Sequence, residues 1–335
     1  MYPEKVKYSI LELAPIQVDK SISEVYRNTL KLAQAADRLG YTRFWLAEHH
    51  NMKSIASAAT SVLIGYVAGG TEKIRVGSGG IMLPNHSPLI VAEQFGTLAN
   101  LYPNRIDLGL GRAPGTDQTT AHAIRSDRMQ SVYRFPDEVT QIRQYFSPSN
   151  EGEKVRAYVA EGVEVPLYIL GSSTDSAHVA ARLGLPYVFA SHFAPNQLLT
   201  ALTIYREEFQ PSAQLQEPYV VAGVNVVAAD TDEEAERLST SMIRMAISVM
   251  TGNIDFVYPP TDLSDDLRSL LQHPSFQGKF KYAFTGSKAT VKEKVETFIE
   301  QTKVDELIVT TQIYGAEDRI RSYEILAEIM HEINA

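Results

Sequence analysis

The sequence predicts an α/β fold in which eight parallel strands close into a (β/α)8 TIM barrel, with insertions after strands 4 and 7. Short β-rich apolar runs alternate with longer runs of helical periodicity, and eight such units fill the 335 residues. Strands that alternate with helices pair in parallel through right-handed crossovers. We therefore expect one domain over residues 1–335. A doubly wound open sheet is the alternative that the pattern leaves open.

Each predicted strand is a short apolar run bounded by Gly, Pro or polar residues. The strands are expected at residues 8–13, 42–47, 74–77, 105–111, 166–170, 187–190, 219–228 and 307–311. The helices follow from apolar residues at helical spacing; in the first, Val25, Leu32 and Leu39 repeat in this way and Gly40 is the expected stop. The helices are expected at residues 23–39, 57–69, 89–100, 130–146, 171–183, 196–209, 232–245, 287–301 and 316–333.

Three stretches carry neither pattern. Residues 114–129 predict a long polar loop after the fourth strand, and residues 147–162 predict a hydrophilic surface excursion. Residues 252–284 predict an irregular segment between the seventh and eighth strands. These stretches account for the two expected insertions.

Composition excludes several classes of protein. The chain contains no Cys, which excludes disulfides, thiolate metal sites and a Cys nucleophile. The net charge of -9 argues against nucleic-acid binding, because phosphate binding favours a surplus of Lys and Arg. No apolar stretch reaches the roughly 18 to 20 residues of a membrane span, and the first residues show no signal-peptide pattern. We therefore expect a cytoplasmic protein that binds neither nucleic acid nor membrane.

The chemistry of a (β/α)8 barrel lies at the carboxyl ends of its strands, on the loops that follow. Five of the predicted strands end in groups of His, Arg, Ser or Gly. These groups are residues 48–51, 77–80, 109–112, 171–173 and 191–193.

Glu48, His49 and His50 follow the second strand. A metal site is one interpretation, with His192 as a further ligand, but neighbouring residues on a strand point to opposite faces and do not easily share one ion. The functional interpretation makes one His a proton donor or hydrogen-bond donor, since imidazole titrates near neutral pH. At least one of the three is expected to be a structural partner in the barrel wall. We expect no metal.

Residues 170–177 have the composition of an anion cradle. Gly171 allows close backbone approach, and Ser172 and Ser173 can join the free N–H groups of a helix start in binding phosphate. Ordinary N-capping by either serine is the alternative. Arg112, at the end of the preceding strand, could supply a fork for the same phosphate or form a salt bridge at the barrel rim.

Residues 77–80 read Gly-Ser-Gly-Gly at the predicted end of the third strand. Small residues there either make room for a flat ligand or serve only a tight turn. From these residues alone we favour the turn.

Four stretches together carry a family resemblance: residues 44–52, 77–88, 105–115 and 171–186. With them the chain resembles the bacterial-luciferase-like flavin-dependent monooxygenases, and most closely the uncharacterised luciferase-like oxidoreductases of that group. The stretches spread over most of the first 195 residues. The remainder fits the family in element order but has weaker motifs.

The resemblance implies a flavin-dependent monooxygenase, usually dimeric, so that a homodimer or higher homo-oligomer is expected. The cofactor would be FMN, in its reduced form a cosubstrate that meets O2, and a flavin C4a-peroxide would oxidise a small organic substrate. A separate flavin reductase would supply the reduced FMN.

The resemblance also implies roles for particular residues. His49 matches the first His of the family's strand-end pair and would be the catalytic acid or base near the flavin. Gly79-Gly80 matches the family's non-prolyl cis peptide, which presses on one side of the flavin ring. The positions that match the family's phosphate-binding residues, beside Gly171, are Arg112, Ser172, Ser173 and Ser176.

Two departures limit what is carried over. Gly111 stands where luciferase has a reactive Cys, and Ser172 stands where luciferase has Glu. The aldehyde substrate and light emission are therefore not expected. Residues 252–284 occupy the place of the family's mobile lid, whose individual residues the sequence does not assign.

Three alternatives to the monooxygenase stay open. The same fold hosts oxidoreductases that use a deazaflavin or a nicotinamide for hydride transfer. A flavin-binding or storage protein without turnover is the second alternative. A metal-dependent hydrolase on a barrel is the third.

Overall fold

The computed structural model describes residues 5–113, 115–125 and 128–335. Nine parallel strands form its single sheet. They are β1 (Lys7–Glu12), β2 (Arg43–Leu46), β3 (Arg75–Met82), β4 (Ile106–Gly111), β5 (Leu167–Gly171), β6 (Tyr187–Phe189), β7 (Val220–Ala228), β8 (Ala283–Gly286) and β9 (Glu306–Thr310).

Eight of these strands close into a barrel. Strands β1 to β6 pair in chain order, β6 pairs with β7, β7 pairs with β9, and β9 pairs with β1. Strand β8 pairs with the last residues of β7, from Asn225 to Ala228, and does not take part in the closure. The predicted (β/α)8 barrel is confirmed, and the open-sheet alternative is wrong because β1 and β9 pair.

The helices lie between the strands. They are α1 (Ile22–Arg38), α2 (Thr60–Gly69), α3 (Pro88–Leu101), α4 (Gln118–Ile124), α5 (Arg128–Tyr133), α6 (Phe135–Phe146), α7 (Thr174–Leu183), α8 (Leu198–Glu208), α9 (Asp232–Met250), α10 (Asp265–Gln272), α11 (Pro274–Lys279), α12 (Lys288–Thr302) and α13 (Ala316–Ile333). Short 3₁₀ turns precede α3 and α8, at Leu83–Asn85 and Pro195–Gln197.

Helix α1 shows how local sequence sets these boundaries. Ser21 and Glu24 form a reciprocal capping box, in which the Ser21 side chain accepts from the Glu24 N–H and the Glu24 side chain accepts from the Ser21 N–H. Its apolar residues, including Val25 and Leu32, are buried against the barrel. In the described part of the chain, no helix is long and apolar enough to cross a membrane.

The predicted tight turn at residues 77–80 is wrong, because β3 continues to Met82. Between Ser78 and Ile81 the register with β4 shifts, so that β3 carries one more residue than its partner strand, as in a β-bulge. The Ser78 hydroxyl donates to the Gly109 carbonyl at 2.8 Å and accepts from the Gly109 N–H at 3.0 Å. The Ser78 hydroxyl thus takes the place of backbone hydrogen bonds between β3 and β4. Strand β3 therefore continues through the bulge.

Two of the stretches predicted as irregular contain helices. The predicted loop 114–129 contains α4, capped by Asp117, while Pro114 and residues 126–127 lie outside the described residues. The expected irregular segment 252–284 contains α10, α11 and the start of β8. These elements are short and mostly polar, so they lack the long apolar periodicity that identifies a helix in sequence.

The predicted helix 130–146 is divided into α5 and α6. Pro136 lies in the first turn of α6, where a backbone N–H has no partner within the helix and its absence costs nothing. In one continuous helix the same N–H would have to donate to the preceding turn, so the helix is divided before Pro136.

The barrel interior is filled below its carboxyl-terminal end. Leu11, Trp45, Tyr168, Val188 and Ile308 belong to one buried cluster, and the rings of Trp45 and Tyr168 meet edge to face at 4.9 Å between centroids. This apolar layer leaves space for a ligand only above it.

Charged side chains close the amino-terminal end of the barrel. Arg43 forms salt bridges of 2.9 Å to both Asp107 and Glu306, and Asp107 also accepts from the Trp45 ring nitrogen. All three charged groups are buried and paired, which is how a barrel core can hold charge. They are structural and lie away from the strand ends that carry the site.

Candidate functional site

A cavity of about 1320 Å³ opens at the carboxyl ends of the barrel strands. Its floor includes Leu11, Trp45 and Ile308 of the barrel core. It is bounded by most of the residues that the sequence and the resemblance singled out. These are His49, Gly79, Arg112, Gly171, Ser172, Ser173 and Ser176. Gly80 does not line it.

His49 lies just beyond β2 with its backbone N–H donated to the Ser57 carbonyl. Its Nδ1 lies 3.3 Å from the carbonyl oxygen of Gly115. A carbonyl only accepts, so Nδ1 carries the proton and Nε2 keeps its lone pair. Burial lowers the pKa of His49 below its ordinary value of 6.5. At neutral pH the ring therefore presents a neutral proton acceptor.

Gly115 can approach His49 because it has no side chain. Its φ of +64° is in the left-handed region, and an added Cβ would lie 2.7 Å from the Glu48 carbonyl oxygen. The same Gly115 carbonyl accepts from the His50 N–H at 3.3 Å. One glycine thus ties the loop after β4 to the loop after β2.

Glu48 and His50 do not act with His49 as one cluster. The Glu48 carboxylate is buried, at 1% exposed, and accepts from the His50 Nε2 at 2.8 Å and the His86 Nε2 at 2.9 Å. It also accepts from the Met82 N–H at 2.9 Å. Both imidazoles donate an N–H to the carboxylate. Their Nε2 atoms therefore have no lone pair to offer a metal ion.

Burial by itself raises the pKa of Glu48, but the hydrogen bonds from His50, His86 and Met82 more than offset it and bring the pKa to about 2. Glu48 is therefore an anion that fixes the loops after β2 and β3 against each other. Sequence reasoning missed His86, although it lies in the Asn-His-Ser-Pro run of one of the four family stretches.

The two glycines of β3 make different contacts. The peptide bond between Gly79 and Gly80 is cis, as the resemblance implied. An added Cβ on Gly79 would lie 2.6 Å from a Leu11 methyl carbon, and one on Gly80 would lie 2.7 Å from the Gly109 carbonyl oxygen. Only Gly79 borders the cavity, where it leaves bare backbone as the wall.

The start of α7 lies directly against the end of β5. Ser173 is the N-cap residue but its hydroxyl makes no capping hydrogen bond, so the simple N-capping interpretation does not account for it. The Ser176 hydroxyl donates to the Ser173 carbonyl at 2.8 Å and lies 3.0 Å from the Tyr187 hydroxyl. An added Cβ on Gly171 would overlap Ser176, so only glycine fits there.

Arg112 forms a salt bridge of 2.9 Å with Asp175 in the first turn of α7. Both side chains are exposed at the rim of the cavity, so the pair is readily broken. The structure thus brings together Arg112 and the serines at the start of α7. It also shows the salt bridge at the barrel rim that was the alternative role of Arg112, with Asp175 as the partner.

The wall formed by β6, β7 and β9 carries polar residues of which sequence reasoning noticed only His192. Asn225 donates from its amide to the His192 carbonyl at 2.7 Å. Gln312 donates from its amide to the Thr310 hydroxyl at 3.1 Å. All four residues line the cavity. No motif pointed to Asn225, Thr310 or Gln312, because they lie on or just after two separate strands, β7 and β9.

Comparison with protein families matches residues 6–322 to the family described as luciferase-like monooxygenase. The chain is 48% identical over 322 residues to YvbT of Bacillus subtilis (strain 168), covering 96% of each chain. It is 44% identical to a luciferase-like monooxygenase of Escherichia coli (strain K12), covering 99% of each. It is 31% identical to N-acetyl-S-alkylcysteine monooxygenase of B. subtilis, covering 96% of this chain and 98% of the relative.

Solved structures share the barrel. Apo-MsnO8 superposes with a TM-score of 0.89 at 35% identity and covers 97% of this chain and 98% of its own. The oxygenating constituent of 3,6-diketocamphane monooxygenase from Pseudomonas putida, in complex with FMN, gives a TM-score of 0.74 at 17% identity, covering 97% of each chain. An F420-dependent secondary alcohol dehydrogenase gives 0.70 at 16% identity, covering 97% and 99%. The last two likenesses concern the fold alone.

Proposed function

The chain belongs to the luciferase-like monooxygenase family, and on that premise we propose that it is an FMN-dependent, two-component monooxygenase. It takes reduced FMN from a separate flavin reductase and uses O2 to oxidise a small organic substrate. One observation carries the proposal: a neutral, proton-accepting His49 and the serine-rich start of α7 face the same cavity of about 1320 Å³. Ligand cavities of roughly 300 to 1,000 Å³ hold drug-sized molecules, so this one has room for a flavin and a substrate together.

The residues present fit a flavin mononucleotide. Arg112, Ser172, Ser173 and Ser176 would hold the phosphate, since a guanidinium, hydroxyls and the free N–H groups of a helix start all favour an anion. The bare backbone at Gly79 leaves a flat wall for the ring. When bound, reduced FMN supplies the electrons that activate O2.

The chain's own residues then supply geometry, proton handling and exclusion of water. His49 would accept or return a proton at Nε2, the nitrogen that Gly115 leaves free. Met242, Met245 and Phe280 line the cavity and keep it apolar, which protects reactive species from water. Glu48 holds the two loops that place His49 and acts through them, without touching the reacting atoms.

A homodimer is part of the proposal, and exposed apolar side chains on α2 and α3 support it. Val62 and Leu101 are 70% and 63% exposed, and Tyr66 and Ile90 are also exposed on the same two helices. Helices α2 and α3 contact each other. Exposed apolar side chains on two helices that contact each other are a feature of protein–protein interfaces.

The test is a titration followed by a turnover assay. The chain is titrated with FMN, riboflavin, F420 and NADH, and we expect the tightest binding for FMN. Reduced FMN, isotopically labelled dioxygen and an N-acetyl-S-alkylcysteine are then mixed with the protein, and the product is examined for one labelled oxygen atom. Tight binding of F420 or NADH alone would favour the hydride-transfer alternative. FMN binding without turnover of any organic substrate would favour a storage protein.

A further inference from the structure

A polar group without a partner in the described part of the chain lies on the cavity wall formed by β6, β7 and β9. Gln312 is 4% exposed, and its Oε1 has no hydrogen-bond partner among the residues that the structure describes. Leaving a buried amide oxygen unpaired costs roughly 1–3 kcal/mol of folding free energy. Such an atom on a ligand cavity is explained when a ligand pairs with it.

His192 presents the complementary group. Its Nδ1 is buried without a partner in the described chain, and it lies where a side chain on Gly223 would reach, 2.4 Å from an added Cβ. A buried, unpaired N–H is rarer than an unpaired acceptor, so Nδ1 carries the lone pair and Nε2 carries the proton. Burial lowers the pKa of His192 to about 4, with His49 and Lys279 contributing, so the ring is neutral at neutral pH.

The two residues belong to one continuous patch. Asn225 on β7 holds the His192 carbonyl at 2.7 Å, and Asn225 is the register partner of Thr310 on β9. Thr310 in turn accepts from the Gln312 amide. A donor from His192, after β6, and an acceptor from Gln312, after β9, are thus held on the two strands that flank β7.

The patch lies across the barrel from the proposed flavin wall. Going around the closed sheet, β3 is separated from β7 by three strands on either side. A flavin held against Gly79 of β3 would leave the space beside β7 for an organic substrate. The patch therefore faces the substrate side of the cavity.

We propose that His192 and Gln312 form a substrate subsite that recognises a neutral group with a hydrogen-bond acceptor beside a hydrogen-bond donor, as in a carboxamide. The acceptor takes the His192 Nε2–H, and the donor pairs with the Gln312 Oε1. The inference rests on the proposed function, because it assumes that an organic substrate shares the cavity with a flavin. It names the substrate's chemical class.

The test compares three small probes on the full chain, alone and with saturating FMN, by NMR titration. N-benzylacetamide has both groups, benzyl acetate replaces the N–H by oxygen, and benzoate carries a charge. We expect N-benzylacetamide to bind roughly three- to tenfold more tightly than benzyl acetate, the worth of one neutral hydrogen bond. Benzoate should bind most weakly.

Two variants assign the contacts. Gln312→Met should abolish the preference by weakening only the amide, whereas His192→Phe should weaken amide and ester alike. Matched controls at exposed positions, Gln301→Met and His122→Phe, should leave all three probes unchanged. FMN affinity should be unchanged in every variant.

Several results would overturn the proposal. Equal binding of amide and ester by the wild-type chain would contradict the proposal. This result needs no variant, so the test does not depend on whether a variant folds. Tighter binding of benzoate than of N-benzylacetamide would also contradict it, because it would indicate that the cationic Lys279 on the cavity wall binds the probe. Loss of FMN affinity in Gln312→Met with the probe preference intact would assign the subsite to the cofactor. Failure of FMN to bind at all would count against the proposed function, while the probe preference of the free chain would still decide the subsite.

Discussion

The His49 Nδ1 lies 3.3 Å from the Gly115 carbonyl oxygen, and this contact determines which ring nitrogen faces the cavity. Gly115 belongs to the loop after β4, and His49 belongs to the loop after β2. A contact between two loops thus sets the tautomer of the residue that we propose as catalytic.

Replacing His49 by Ala should remove the proton acceptor while leaving the phosphate-binding end intact. We expect turnover to fall roughly 10²- to 10⁴-fold, the usual contribution of one general acid–base group. FMN affinity, measured by fluorescence quenching, should stay near the wild-type value. His122→Ala, at an exposed position, is the control. A parallel loss of FMN affinity would instead make His49 a binding residue.

The pH dependence of turnover should show that the neutral form of His49 is the active one. Because the pKa of His49 is lowered by burial, the proton-accepting form persists at lower pH, and the acid limb of kcat/KM should have its midpoint below pH 6.5. The pKa of His192 is about 4, so His192 stays neutral over the neutral pH range. An acid limb with its midpoint above 6.5 would contradict the assignment.

Asp175 should compete with the FMN phosphate for Arg112. Asp175→Asn breaks the 2.9 Å salt bridge and removes a negative charge from the rim, so FMN should bind more tightly. Arg112→Ala should weaken FMN binding by roughly tenfold or more, the worth of a charged hydrogen bond. Riboflavin, which lacks the phosphate, is the control ligand and should respond to neither change. Equal effects on both flavins would place the phosphate elsewhere.

Glu48→Gln should destabilise the fold by roughly 2–4 kcal/mol at neutral pH, since several buried hydrogen bonds lose their anionic acceptor. The folded pKa of Glu48 is about 2, below its ordinary 4.5, so its contribution is present above pH 4.5 and is lost as pH falls toward 2. The gap between wild type and variant in urea unfolding should shrink over that window. Glu300→Gln, at an exposed position, is the control and should have no effect.

Val62→Lys should break the proposed homodimer by placing a charge in its apolar surface. Sedimentation of the wild-type chain should give twice the monomer mass, and the variant should sediment as a monomer. Leu199→Lys is the control, since Leu199 is 45% exposed and lies on α8, between β6 and β7, across the barrel from α2 and α3. A wild-type chain that is monomeric at all concentrations would remove the dimer from the proposal.

Local pattern was enough to predict most of the fold. Short apolar runs identified the eight barrel strands. Each strand is buried, so its own residues are apolar and can be recognised without knowing which strands it pairs with. Strand β8 was missed along with α10 and α11. These elements are short and mostly polar, and their structure depends on packing rather than on their own periodicity: β8 packs against β7 and α9, and α10 and α11 pack against each other. The run through Gly79 and Gly80 looked like a turn because the hydrogen bonds that continue β3 come from the distant Gly109.

The sequence by itself predicted the barrel, the strand ends that carry the chemistry and the family resemblance, because these depend on residue types within short stretches. It also identified His49, Arg112 and the serines at the start of α7 as candidates. Only the tertiary structure decided that Gly115 orients His49, that Asp175 pairs with Arg112, and that Gln312 has a buried unpaired oxygen on the cavity wall. The physical reason is that each of these contacts joins loops from different strands, and barrel closure brings together residues that no spacing along the chain connects.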